Sequence, residues 1–111
     1  MKPTDIPPKI VKEDGRTYAE VEIGLDYGIC ARPAAMIVKY CVKQDREIAI
    51  EKDGNEVSAR SIMGLLTLGA HQGARLTVEV EGTDAEAERI VRDLHRGLSS
   101  EDSFALDLPW S

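Results

Sequence analysis

Between Thr17 and Ile23 the side chains alternate. Ala19, Val21 and Ile23 fall on one side of an extended chain, and Tyr18, Glu20 and Glu22 on the other. A period of two fits a strand with one dry face and one wet face. The same alternation returns at Ile48 and Ile50 and again at Leu76, Val78 and Val80. The intervening segments have a different period. Ala34, Ile37, Val38 and Cys41 recur at helical spacing, as do Ala87, Ile90, Val91 and Leu94. One-faced strands and one-faced helices bury their apolar sides together only when the helices cover a face of the sheet, which makes the fold class α+β.

Punctuation residues set the boundaries. Residues 1–15 contain Pro3, Pro7 and Pro8 and are expected to form a mobile arm. The domain proper is expected over 16–98. Arg32-Pro33 suits the first turn of a helix running to about Gln44. Asp53-Gly54 signals a hairpin, with a short strand around Val57. Ser61 is placed to N-cap a short helix, Ile62 to Leu68, and Gly69 to end it. Thr83-Asp84-Ala85-Glu86 reads as a capping box, and Gly97 as the stop of the last helix. The predicted order is βαββαβα. Residues 99–111 form an acidic tail carrying Phe104-Ala105-Leu106-Asp107-Leu108-Pro109-Trp110.

Composition limits what such a domain does. At 111 residues there is room for one core and none for a deep cavity, so chemistry belongs at the surface. A net charge of −6 disfavours nucleic acid and anionic membranes as partners. No segment approaches a membrane span or a signal peptide, so a cytoplasmic location with reduced cysteines is expected. Cys30 and Cys41 make no CxxC pair and no metal-ligand spacing with the two histidines; no metal or cofactor is called for. Eleven mostly helical positions part the two cysteines by about 15 Å, too far for a disulfide. Cys41 lies on the apolar stripe and reads as core. His71 and His95 read as surface or internally satisfied, and Glu86, Glu88, Arg89, Arg92 and Asp93 as a solvated helix face.

Two stretches carry more than structure: Gly28-Ile29-Cys30-Ala31-Arg32-Pro33-Ala34-Ala35, and Ser58-Ala59-Arg60-Ser61-Ile62-Met63-Gly64-Leu65-Leu66-Thr67-Leu68-Gly69. In this order and spacing they resemble the two signature regions of HPr, the phosphocarrier of the bacterial phosphoenolpyruvate-dependent phosphotransferase system. The resemblance covers roughly residues 17–97. It implies an HPr-like open-faced β-sandwich, with a four-stranded antiparallel sheet covered by three helices. It also implies partners: enzyme I as phosphoryl donor, enzyme IIA domains as acceptors, and HPr kinase/phosphorylase acting on a serine. A monomer that itself catalyses nothing is expected.

The resemblance aligns Cys30 with the family's phosphorylated histidine, while Arg32 and Pro33 match. A helix start beside Arg32 suits an anion, and it would also favour a thiolate at Cys30. A cysteine is shorter than a histidine, however, and phosphoryl transfer is sensitive to small misplacements. Ser61 matches the family's kinase-target serine. A phosphate at a helix N-terminus is electrostatically favourable. Leu65 and Leu68 suffice for the core, which leaves Ile62, Met63 and Leu66 as surplus apolar side chains for docking partners. Three readings follow: a regulatory protein switched at Ser61, a carrier using Cys30 as acceptor, or a redox-sensing or structural domain on the same fold.

Overall fold

A computed structural model describes residues 6–101. The strands are β1 (Val11–Glu13), β2 (Arg16–Glu22), β3 (Ile48–Lys52), β4 (Asn55–Ser58) and β5 (Arg75–Glu81). The helices are α1 (Ala31–Cys41), α2 (Ile62–Thr67) and α3 (Ala85–Ser99). All strand pairs are antiparallel, in the order β1-β2-β5-β3-β4.

The alternations set the register. Ala19 lies opposite Val78, Val21 opposite Leu76, and Ile48 opposite Val80. Their dry faces merge into one core with Ala34, Ile37, Tyr40 and Cys41 of α1 and Ala87, Ile90, Val91, Leu94 and Leu98 of α3. α3 packs across β2 and β5, and α1 lies beside α2. Helices thus cover one face of the sheet and leave Glu20, Glu22, Glu79 and Glu81 on the other.

The sheet has five strands rather than four. Val11–Glu13, expected within the arm, pair with β2. The cause is Asp14-Gly15, which adopts φ of 52° and 74°, the left-handed pair that lets a two-residue turn follow the twist of a hairpin. Asp53-Gly54 does the same between β3 and β4 at 52° and 83°. Three helix limits also shift. α1 leaves α-geometry at Cys41, and the chain reaches Gln44 through tighter i→i+3 bonds from Lys43 to Tyr40 and from Gln44 to Cys41. Asp84, not Thr83, caps α3, accepting from the Ala87 amide at 3.2 Å. The Arg46 guanidinium bonded to Asp84 holds that carboxyl well below the ordinary range.

α3 also runs past Gly97 to Ser99. Gly97 is on the packed face, Leu98 is fully buried, and the Leu98 carbonyl accepts from the Gly24 amide at 2.9 Å. Tertiary contact there outweighs the weak stop signal of a glycine.

One residue assigned to water, Asp93, is inside, and His95, read as surface or internally satisfied, is enclosed as well. Asp93 is buried, where it accepts from the Tyr40 hydroxyl at 2.7 Å and from Arg89 at 2.9 Å. Burial, followed by the bond to Asp93, raises the Tyr40 phenol far above its usual value. His95 is buried too. Desolvation, with Arg92 adding to it, pushes its imidazole below the usual value. The unfolded chain therefore binds a proton here more readily than the folded one, so stability rises with pH across this window. Denaturation midpoints are expected to fall as the pH drops below about 6.5, the ordinary histidine value. His95→Gln should flatten that fall.

Candidate functional site

The loop from Gly24 to Cys30 is pinned from beneath. Leu25 and Ile29 point into the core, while Asp26, Tyr27 and Cys30 stay outside. The Ile29 amide donates to the Ala70 carbonyl at 2.8 Å, and Gly28 donates to Leu25 at 3.0 Å. Gly28 has φ of +66°, and a Cβ there would stand 2.1 Å from the Ala70 oxygen. Only glycine permits this approach. Ala70 and His71 follow directly on α2, so the contact brings the end of α2 against the Cys30 loop.

Cys30 is the N-cap of α1, extended at φ −101° and ψ −170°, exposed, and makes no side-chain cap bond. Its carbonyl accepts from Ala34 at 2.9 Å. Pro33 brings no N–H, so the amides of Ala31 and Arg32 are the donors left at this helix start, and the first turn has no acidic residue. Arg32 is exposed, with no ion-pair or hydrogen-bond partner among the described residues. The arrangement favours an anion beside Cys30. Cys41 differs in every respect. It is fully buried, and burial pushes its thiol up to about 12, which makes it a poor nucleophile. Both cysteines are free.

At the second stretch Ser61 caps α2. Its Oγ accepts from the Gly64 amide at 3.0 Å. A Cβ on Gly64 would come within 3.2 Å of that oxygen, so the glycine keeps the space beside it open. Leu65 and Leu68 are buried, whereas Ile62, Met63 and Leu66 are 41%, 71% and 39% exposed. The structure thus separates the two core leucines from the three surface residues as the sequence spacing implied.

Two neighbours escaped the sequence reading, and a third, His71, reads there only as surface or internally satisfied. Tyr27 stands 86% exposed beside Cys30, and nothing in its spacing marked it. His71 abuts Gly28 through its backbone, and its ring Nδ1 lies 3.1 Å from the Gly69 carbonyl. Arg60 precedes Ser61, yet its guanidinium turns away to the carbonyls of Cys41, Gln44 and Arg46 at 3.4, 2.8 and 2.7 Å. It caps the C-terminal end of α1. A lone arginine before a serine carries no sign of such a distant task. Among the described residues no three of His, Cys, Asp or Glu gather as a metal site, and no helix is long and apolar enough to cross a membrane.

An antiparallel sheet covered on one face by three helices, with the loop before α1 set against the end of α2, defines an open-faced sandwich of the phosphocarrier type. Residues 18–96 match the sequence model for the PTS HPr component phosphorylation site. The chain belongs to the HPr family. It is 45% identical over 67 residues to the HPr-like protein Crh of Halalkalibacterium halodurans, covering 60% of this chain and 80% of that one. The structure superposes on a phosphocarrier protein HPr from Bacillus anthracis with a TM-score of 0.64 and 38% identity, covering 71% of this chain and 95% of that one. It superposes on Crh of Bacillus subtilis with a TM-score of 0.56 and 28% identity, covering 88% and 97%. That Crh crystallised as a dimer with a swapped domain, which leaves the monomer expectation without support.

Proposed function

We propose that this protein is a cytoplasmic regulatory member of the family, switched by phosphorylation of Ser61. The observation that carries the reading is the capped start of α2. Ser61 Oγ already sits on the Gly64 amide with no acidic residue in the first turn, so a phosphate there gains backbone donors and the helix dipole. Partners then read the phosphate together with Ile62, Met63 and Leu66, and with Arg32 at the start of α1. The likeness to two Crh proteins supports a regulatory role over a transport role.

Cys30 stands, in this reading, where the family's acceptor histidine belongs. It keeps the anion-favouring helix start but not the imidazole. A histidine nitrogen holds phosphate in a reactive P–N bond; a cysteine sulfur on a shorter side chain reaches less far toward a donor. The relay from enzyme I to enzyme IIA domains is accordingly lost, and HPr kinase/phosphorylase becomes the relevant modifying partner.

The test is intact mass after incubation with HPr kinase/phosphorylase and ATP. One phosphoryl group is expected, absent in Ser61→Ala and retained in Cys30→Ala. An unmodified Ser61 overturns the proposal. A phosphoryl group gained instead from enzyme I and phosphoenolpyruvate, and lost in Cys30→Ala, would restore the carrier reading.

A further inference from the structure

The second half of β2 has an open edge. β1 pairs with β2 only as far as Val11 opposite Tyr18. In the same register Lys9 would next meet Glu20, and Pro7 would meet Glu22. Pro7 and Pro8 have no N–H to give, and no hydrogen bond joins residues 6–10 to β2 among the described ones. Main-chain groups point to alternate sides along an antiparallel strand. The Ile23 amide donates to Ala74 and its carbonyl accepts from Gly73, both on the β5 side. Those of Glu20 and Glu22 therefore point the other way, toward the arm, and are unpaired there. Residues 1–5 and 102–111, the start of the arm and most of the acidic tail, lie outside the described ones, and this edge is built without them.

Between arm and strand lies a cleft of about 310 Å³, with Pro7, Pro8 and Lys9 on one bank, Glu20 and Glu22 on the other, and His95 in its wall. The Gly24 amide meets the Leu98 carbonyl at 2.9 Å, which brings the last turn of α3 beside this edge. His95 is only 8% exposed, yet its imidazole has no hydrogen-bond or ion-pair partner among the described residues. Buried polar groups are normally paired, and a neutral imidazole has one donor and one acceptor to satisfy. A metal ion is not the missing partner, since no three metal-ligating side chains gather among the described residues. Charge narrows the choice further. Arg75 reaches Glu20 and Glu22 at 2.9 and 3.9 Å, but both carboxylates stay exposed. A second copy adding its own β2 about a two-fold axis at Val21 would set Glu20 opposite Glu22, and like charges directly across are destabilising.

We propose that this cleft receives an extended segment of a partner protein, which adds to β2 on the main-chain groups of Glu20 and Glu22, with Lys or Arg at two alternate positions and a hydroxyl residue between them for His95. Strand addition draws its affinity from main-chain hydrogen bonds and its specificity from alternate side chains. Residues opposite Glu20 and Glu22 share their outer face, and the residue between turns to the other face, where α3 lies. Exposed charge pairs contribute little by themselves, so the basic residues select the segment while the backbone holds it. The proposal does not rest on phosphorylation of Ser61.

The probe is the blocked peptide Thr-Val-Arg-Ser-Arg-Val-Thr, titrated into the isotope-labelled full chain and followed by NMR. Saturable shifts are expected at the Glu20 and Glu22 amides and at the His95 ring, with exchange of both amides slowed several-fold. Methylating alternate peptide nitrogens keeps the charges but removes the main-chain donors, and should weaken binding about tenfold. Glu20→Pro deletes an N–H from the open edge, where proline is tolerated, and should weaken the unmodified peptide similarly; if that variant does not fold, the methylated peptide decides. His95→Phe should weaken this peptide several-fold but leave its Ala-for-Ser version unchanged. No saturable shift at Glu20 and Glu22 up to millimolar peptide overturns the proposal, as does equal binding of the methylated peptide or an equal effect of His95→Phe on both versions. Protection of the two amides that grows with protein concentration in the absence of peptide would give the edge to a second copy and overturn it equally.

Discussion

Replacing Gly24 by alanine is expected to destabilise the protein by about 3 kcal/mol or more, at the upper end of single substitutions. A Cβ at this position would lie 1.7 Å from the carbonyl oxygen of Ser99 and 2.4 Å from its carbon. Both are backbone atoms at the end of α3, so no side chain can swing aside. The Gly24 amide is also bonded to the Leu98 carbonyl, and moving α3 away would break that bond and uncover Leu98. Urea denaturation should show the loss as a lower midpoint at unchanged slope. Gly54→Ala is the contrast. There φ is +83° but the space around the absent Cβ is open, so only the backbone penalty of about 1 kcal/mol applies. Equal losses in the two variants would show that the close approach of α3 to the loop is not what Gly24 serves. Since Gly24 opens the segment that presents Cys30, amide exchange over residues 25–30 should accelerate in Gly24→Ala alone.

Arg60→Met should cost roughly 1–3 kcal/mol, the range for partly buried acceptors that lose a charged donor. Three carbonyls, of Cys41, Gln44 and Arg46, converge on this one guanidinium where α1 unwinds toward β3. Arg60→Lys should recover only part of the loss, because an ammonium cannot span that fork. The ion pair to Glu47 is on the surface at 3.6 Å and adds little. The same variant tests the site. If Arg60 serves only to cap α1, kinase-dependent phosphorylation of Ser61 persists in Arg60→Met at temperatures where the variant stays folded. Loss of phosphorylation without loss of stability would place Arg60 in the phosphate site instead.

These two residues show where sequence reasoning reached its limit. Gly24 and Arg60 both lie inside stretches whose local character was legible, a glycine loop and a serine-capped helix. What each does, however, depends on a segment far away along the chain. The same applies to Asp93, which by helical spacing belonged with its charged neighbours but lies beneath Tyr40 of another helix. Ser61 was the opposite case. An N-cap is a local device, its partner three residues on, and the structure shows the bond where the spacing implied it.

By itself the sequence determined the periodicities, and with them which face of each strand and helix is dry, the αβ order from β2 onward, and the caps at Ser61 and the hairpin at Asp53-Gly54. Each of these is set by residues within a few positions of one another. Only the tertiary structure decided that β1 joins the sheet, that α3 continues past Gly97, that His95 and Asp93 are enclosed, and that the Cys30 loop abuts the end of α2. Those outcomes depend on burial and on carbonyls and amides meeting across long separations in the chain, energies to which local spacing is blind.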